Sequence, residues 1–302
     1  MTRLVTKSPV KIAYVTGHEF GVRALEGILE SPERARGLID IRILFGLPSY
    51  LKSKTVGYRS LEQVAHRHNI NYIEANDLRL KSYVPLIKFY QIDVMAVIGW
   101  SYLIPKIVRE SVNMKYDNIP VTIGMHPSPL PVGRGRAPIP WTILNDLDKT
   151  ALSVFLLTDE ADAGPILLQL NCTVGRDETS SSLYQKFIQL HYTAGSQIAK
   201  NLVEGLPNVV PQNEDLATIW RKRTPADGEI TRLYTIEQAT RLFRAQSAPY
   251  PPPFVFVNNL PIEVVDIRST SPTDETNWTR YAIMDGVVWL KFGRHLNMER
   301  FT

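Results

Sequence analysis

Asp93-Val94-Met95-Ala96-Val97-Ile98-Gly99 is an unbroken apolar run opened by one aspartate and closed by a glycine. The run is too short for a helix, and it is apolar at every position instead of every second one. A strand of that kind must be covered on both faces, as the inner strands of a parallel sheet are. The flanking sequence repeats the theme. Val10 to Val15 is a β-branched and aromatic run, Thr16-Gly17-His18-Glu19-Phe20-Gly21 breaks it, and Val22 to Glu30 has helical spacing. Ile39 to Leu44 reads as a strand, Ser60 to His68 as a helix, Asn71 to Glu74 as a short extended piece and Lys81 to Tyr90 as a further helix. Downstream, Pro120 to Gly124 and Ala151 to Leu157 read as strands, Ala137 to Asn145 as a helix, Pro165 to Val174 as extended and Thr179 to Val203 as a long amphipathic helix. Strand and helix alternate, which predicts an open, doubly wound, mostly parallel α/β sheet.

Polarity rises at Trp220-Arg221-Lys222-Arg223-Thr224-Pro225-Ala226-Asp227-Gly228. Beyond it come a short helix over Thr235 to Gln246, the stiff Pro249-Tyr250-Pro251-Pro252-Pro253, and strand-like runs at Phe254 to Val257, Ile262 to Ile267, Tyr281 to Met284 and Val287 to Phe292. The pattern predicts two domains, 1–220 and a small β-rich 221–302, with Trp289, Leu290 and Phe292 either in its core or on a contact surface.

Composition narrows the function. In 302 residues, 44% are hydrophobic and 21% charged, the mixture of an ordinary globular chain. No apolar run approaches the roughly 20 residues that span a bilayer, and Met1 to Lys11 lacks a secretory apolar stretch, so a cytoplasmic location is expected. The single cysteine, Cys172, excludes an intrachain disulfide and a thiolate zinc cluster, and no metal is expected. The net charge of +4 comes from scattered residues, a weak footprint for a dedicated nucleic-acid binder. Gly17 and Gly21 do not make the glycine-rich dinucleotide fingerprint, which disfavours nicotinamide or flavin.

Two loops at strand ends each offer one titratable side chain: His126 after Pro120 to Gly124, and Asp162 after Ala151 to Leu157. Ligands of open α/β sheets bind outside the carboxyl ends of strands. An imidazole accepts protons near neutral pH, and a neighbouring carboxylate would fix its tautomer and stabilise the imidazolium. Read only as residues, His126 fits an ordinary loop or core position equally well, and Asp162 fits a turn cap.

The longer string decides between these readings. His126-Pro127-Ser128-Pro129-Leu130-Pro131, then Gly135, Ala137-Pro138-Ile139 and Trp141, followed by Asp159-Glu160-Ala161-Asp162-Ala163-Gly164-Pro165-Ile166, resembles the folate-dependent formyltransferase family. The likeness is most specific between Ile123 and Leu168 and runs in order from Val10 to about Val203. Arg221 to Gly228, the Thr235 to Gln246 helix and Pro249-Tyr250-Pro251 look like the entry to the C-terminal domain of the tRNA and sugar branches. The resemblance implies a Rossmann-like core and formyl transfer from 10-formyltetrahydrofolate, as co-substrate, to a primary amine. It places the catalytic histidine on His126 and the catalytic aspartate on Asp162. It places the pterin against Gly99, Trp100, Ser101, Tyr102 and Leu103, and against the acidic loop Thr158, Asp159, Glu160, Ala161 and Asp162. Trp100, Leu103 and Ile104 would then form apolar walls, although core packing explains Trp100 and Leu103 as readily.

One position departs from the family. The asparagine that stands two residues before the histidine and donates to the developing oxyanion is Gly124 here. Loss of such a donor costs about 10²–10³ in rate. A donor from elsewhere or a backbone N–H exposed at Gly124, together with protonated His126, is the expected replacement; a non-catalytic binder is the alternative.

The expected acceptor is the primary amine of a nucleotide-linked amino sugar. The opening turn is unlike the phosphate loop of the purine branch, and the small C-terminal domain and modest charge suit a nucleotide. Lys52, Lys54 and Arg59, in the stretch Gly46 to Ser60, keep a tRNA partner as the alternative. A hydroxylated amino acid or a carrier-bound aminoacyl group is a third class. No membrane partner is expected, and a homodimer stays open.

Overall fold

The computed structural model describes residues 8–274 and 277–296, so the outer ends of both expected domains, 1–7 and 297–302, lie outside the described residues. In chain order the elements that matter are β1 (Val10–Thr16), α1 (Glu19–Leu29), β2 (Ile39–Gly46), α2 (Glu62–His68), β3 (Asn71–Glu74), α3 (Val84–Phe89), β4 (Val94–Ile98), β5 (Thr122–His126), α4 (Pro138–Leu144), β6 (Lys149–Leu156), β7 (Ile166–Thr173), α5 (Ser180–Glu204) and α6 (Ile236–Ala245). Four strands follow: β8 (Phe254–Val257), β9 (Leu260–Arg268), β10 (Thr279–Ile283) and β11 (Gly286–His295). Among the described residues, no helix is long and apolar enough to cross a membrane.

Strands β1 to β7 form one sheet in the order β7-β6-β5-β4-β1-β2-β3. Pairing is parallel from β3 through β2, β1 and β4 to β5, and antiparallel between β5 and β6. Every residue of β4 is buried, as its unbroken apolar sequence requires. On one face Ala13, Val15, Ile43, Phe45, Met95 and Val97 pack with Ile87, Ile104 and Val108. The chain leaves β1 toward β2 and β3 on one side and returns through β4 and β5 on the other. The reversal opens a crevice at the carboxyl ends of β1 and β4, where α/β sheets take their ligands.

Among the boundaries that differ from the sequence reading, two lie at the crevice, each with a local reason. Helix α1 begins at Glu19 because His18, in extended backbone, caps it: the His18 side chain accepts from Phe20 N–H. The strand expected to stop at Gly124 runs on to His126. Its ladder continues on both sides, Ile98 opposite Met125 and Ser153 opposite His126. His126 is therefore the last residue of a paired strand, not a loop residue, and sheet hydrogen bonding holds its backbone.

Two compact units emerge. The first contains the described residues up to Arg134, with Ala151–Cys172 and Lys186–Thr218; the second contains Gly135–Thr150, Thr173–Gln185 and the described residues from Ile219 onward. The expected boundary at 220/221 falls just inside the last segment of this second unit. That unit is discontinuous because α4 packs against α6, and Ser180 at the start of α5 donates its hydroxyl to the Ala245 carbonyl at 2.7 Å. Its four strands pair antiparallel in the order β8-β9-β11-β10. Ile230, Leu242, Val255, Val264, Val288 and Leu290 fill the core, with Phe292 packed against them. Helix α6 starts with a reciprocal capping box between Thr235 and Gln238.

Candidate active site

His126 and Asp162, 36 residues apart in sequence, meet in the first unit: Nδ1 of His126 lies 3.9 Å from Oδ2 of Asp162. His126 is buried, and its Nε2 lies 2.8 Å from the Gly133 carbonyl. A carbonyl only accepts, so Nε2 carries the proton and donates it. The neutral ring then presents the lone pair of Nδ1 toward Asp162. This corrects the expectation that the carboxylate fixes the tautomer. At 3.9 Å, Asp162 is too far for a direct hydrogen bond yet close enough to stabilise a charge on the ring. The loop after the strand turns back on the histidine, and the loop carbonyl does the orienting.

That loop is pinned to the sheet. Ser153, opposite His126 on β6, donates its hydroxyl to the Ser128 carbonyl at 2.6 Å and accepts from Leu130 N–H at 3.1 Å and from Gln169 Nε2 at 2.9 Å. Gln169 Nε2 also donates to the Leu130 carbonyl at 2.8 Å. These bonds give the proline-rich segment its fixed shape.

Asp162 stands in the left-handed backbone region with φ of 57°. Asp tolerates this better than most residues. Gly164 lets the turn lie against β6, since a Cβ there would sit 1.7 Å from the Leu156 carbonyl oxygen. Thr158 donates its hydroxyl to the Glu160 carbonyl at 3.2 Å, and Glu160 and Ala161 are exposed.

Gly124 lies one pleat before His126 on β5, directly opposite Phe155. A Cβ on Gly124 would meet Leu157 Cδ2 at 2.7 Å and the Phe155 ring at 3.1 Å. Neighbouring apolar side chains therefore occupy the space beside Gly124 into which a side chain there would project.

At the carboxyl end of β4, Gly99 adopts φ of 63° and turns the chain into an exposed loop of Ser101, Tyr102 and Leu103. The backbone N–H groups of Trp100, Tyr102 and Leu103 make no bond to a main-chain carbonyl among the described residues, so they are available to read the polar edge of a flat heterocycle. Trp100 packs against the core and donates its indole N–H to the Leu78 carbonyl at 2.9 Å, while Ile104 is a core residue. Of the three expected apolar walls, Ile104 is withdrawn; Leu103, 57% exposed, offers the most surface.

Sequence reasoning missed several supporting residues. Buried Arg109 donates to the Ile104 carbonyl at 3.1 Å and the Leu157 carbonyl at 3.3 Å and pairs with Asp159, joining the loop after β4 to the acidic loop after β6. Buried Arg134 binds Gln212 and Glu214 through its guanidinium, and its already high pKa is raised further, chiefly by the Glu214 bond with smaller pulls from Glu160 and Asp162. Arg134 lies in the span between Pro131 and Gly135 that the quoted motif passes over, where it reads as loop composition. Gln212 follows the long helix in a stretch with no periodicity, and nothing in the sequence marks it.

Comparison with known proteins agrees with the fold. Residues 51–197 match the family model described as formyl transferase. The methionyl-tRNA formyltransferase of Ehrlichia ruminantium is 28% identical over 258 residues, covering 85% of this chain and 79% of that protein. An N-formyltransferase from Helicobacter canadensis, solved with folinic acid and dTDP-3-aminofucose, superposes with a TM-score of 0.69 at 14% identity, covering 94% of this chain and all of that one. HypX from Aquifex aeolicus superposes with a TM-score of 0.63 at 14% identity; 94% of this chain is covered but only 44% of HypX, so the chain spans less than half of that protein.

Proposed function

With residues 51–197 belonging to the formyl transferase family, we propose that this formyltransferase moves a formyl group from 10-formyltetrahydrofolate to the primary amine of a nucleotide-linked amino sugar, using His126 and Asp162 within the catalytic domain 1–220. The observation that carries the reading is the 2.8 Å contact of His126 Nε2 with the Gly133 carbonyl, which commits the Nε2 proton and leaves Nδ1, on the side of Asp162, as the basic atom. His126 Nδ1 takes the proton that the acceptor amine loses on attack and returns it to the departing folate nitrogen. Asp162 stabilises the imidazolium while the proton resides there. The folate supplies a formyl carbon bound to a nitrogen leaving group. The exposed backbone of Gly99, Trp100, Ser101, Tyr102 and Leu103 would hold its pterin, with the Thr158, Glu160, Ala161 and Asp162 loop completing the pocket. Gly124, lacking the family amide, leaves oxyanion stabilisation to protonated His126 and backbone N–H groups.

Local charge favours a small acceptor over tRNA. Of the three cations that suggested a tRNA loop, Arg59 is paired with Glu19 at 3.1 Å. Lys52 lines a cavity of about 420 Å³ with Ser49, Tyr58, Ser60, Glu62, Tyr72 and Glu74, so its lining carries two carboxylates to one ammonium. A groove for a phosphate backbone carries the opposite balance. The dTDP-amino sugar named for the Helicobacter canadensis structure supports the same acceptor class, whereas the methionyl-tRNA formyltransferase relatives favour the second reading.

Incubation with 10-formyltetrahydrofolate and a panel of dTDP-linked 3- and 4-amino-deoxysugars, alongside initiator methionyl-tRNA, is the test. Folate release with a sugar amine and not with tRNA is expected. Formylation of the tRNA, with binding that falls steeply as salt rises, would establish the second reading, and no transfer to any amine would defeat both.

A further inference from the structure

We infer that Gln212 is a positioning residue that, with Arg134 and Thr218, sets the separation of His126 and Asp162. The inference rests on the formyl-transfer reading, because it concerns the pair that reading makes catalytic. The Gln212 amide has only one workable orientation. Its Oε1 accepts from Arg134 Nε at 3.1 Å and Nη2 at 2.8 Å, and a guanidinium has no acceptor to offer in return. Nε2 must therefore be the end that meets the carbonyls of Asp162 and Gly164, each at 2.7 Å. One amide thus holds both ends of the left-handed turn that presents the Asp162 carboxylate. Glu214 grips Arg134 through two parallel bonds, Nη1 to Oε2 at 2.8 Å and Nη2 to Oε1 at 2.7 Å, so the base of the clamp does not swing.

The other arm of the same segment holds the histidine side. Thr218 Oγ1 accepts from Gly133 N–H at 2.8 Å, and the Thr218 carbonyl accepts from Arg134 N–H at 2.9 Å. Thr218 N–H in turn donates to the Pro131 carbonyl at 3.2 Å. Gly133 is the residue whose carbonyl anchors His126 Nε2. A seven-residue stretch, 212–218, therefore braces the carbonyl that orients the base at one end and the turn that carries the acid at the other. The imidazole and the carboxylate lie 3.9 Å apart, beyond a direct hydrogen bond, and the brace supports both sides of that gap.

The test follows the His126 ring signals against pH by NMR, identified by their loss in His126→Ala, and needs no amine substrate. Asp162→Asn is expected to move the titration midpoint to lower pH, because a stabilising anion is lost. Gln212→Met keeps the side-chain shape, removes the amide, and is expected to move the midpoint the same way by about half as much or more. The double variant should move it no further than Asp162→Asn alone. Thr218→Val, at an exposed position and so little risk to folding, should also lower the midpoint, and Thr218→Ser should restore it. The brace is overturned if Gln212→Met and Thr218→Val leave the midpoint in place, if the Gln212→Met shift adds in full to that of Asp162→Asn, or if Asp162→Asn itself has no effect. Failure of formyl transfer appears separately, in the amine panel, and leaves these titrations readable.

Discussion

His126 ends β5 and His18 follows β1, both at the carboxyl edge of one sheet, yet their surroundings give them opposite characters. His126 has a carbonyl on one ring nitrogen and a carboxylate 3.9 Å from the other. His18 uses Nδ1 to accept from Phe20 N–H at 3.1 Å as a helix cap, and its ring lies against Phe20, which stacks on His191 with centroids 4.4 Å apart. His191 is fully enclosed and donates Nδ1–H to the Phe187 carbonyl at 2.7 Å. Burial pushes the pKa of His18 down to about 4, against a smaller upward pull from Glu19, and that of His191 down to about 3. One histidine faces a carboxylate, and burial holds the other two neutral. The neighbours, not the residue type, set the role.

Activity should separate the two regions most widely. His126→Ala is expected to lower turnover by about 10³-fold, the ordinary contribution of a positioned general base, while His191→Leu stays within a few-fold of the parent. Equal losses would erase the distinction. Asp162→Asn should cost about 10²-fold, less than in sites where the carboxylate bonds the ring, because here Gly133 and not Asp162 fixes the tautomer. A loss as large as that of His126→Ala would show that the carboxylate does more than stabilise the imidazolium.

Acid should reverse the contrast, since it acts on the buried pair. Unfolding frees His18 and His191 to bind protons below the ordinary value of 6.5, whereas the folded chain resists them until about pH 4 and 3. The unfolded state therefore binds more protons in this window. Stability is complete above pH 6.5 and falls as the pH drops toward 3. His191 alone should cost about 2 kcal/mol at pH 5, and His18, with part of its surface in solvent, less. Thermal unfolding midpoints measured between pH 7 and 5 should show this slope, and His191→Leu should flatten it. The smallest effect is expected at Gly124. Gly124→Asn should not raise turnover and should cost about 1–2 kcal/mol of stability, because Leu157 and Phe155 occupy the space; Leu157→Ala in the same chain should recover part of it. A gain in turnover would mean that the family amide still fits.

Much of this was legible beforehand. The alternation of strands and helices came from apolar patterning, and the strands of the second unit came within a few residues of their observed ends. His126, Asp162 and the anomaly at Gly124 came from a motif. The end of β5 was misplaced because residue preferences see Gly124 as a break, while the ladders to β4 and β6 carry the strand two residues further. Ile104 was read as a pocket wall because an apolar residue beside a loop looks alike whether it faces a ligand or the core.

The sequence by itself determined which segments become strands, which helices cover them and which two side chains to examine as a candidate pair, because periodicity and short motifs are properties of neighbours along the chain. Only the tertiary structure decided the tautomer of His126, the filling of the space beside Gly124 and the clamp built from Arg134, Gln212 and Thr218. The clamp and the contacts beside Gly124 join residues tens of positions apart, such as Gln212 and Asp162 or Gly124 and Leu157, while the tautomer rests on the bond between His126 and Gly133, made when the loop turns back on the strand. A donor and its acceptor leave no joint mark on the sequence when the chain between them is long enough to approach from any direction.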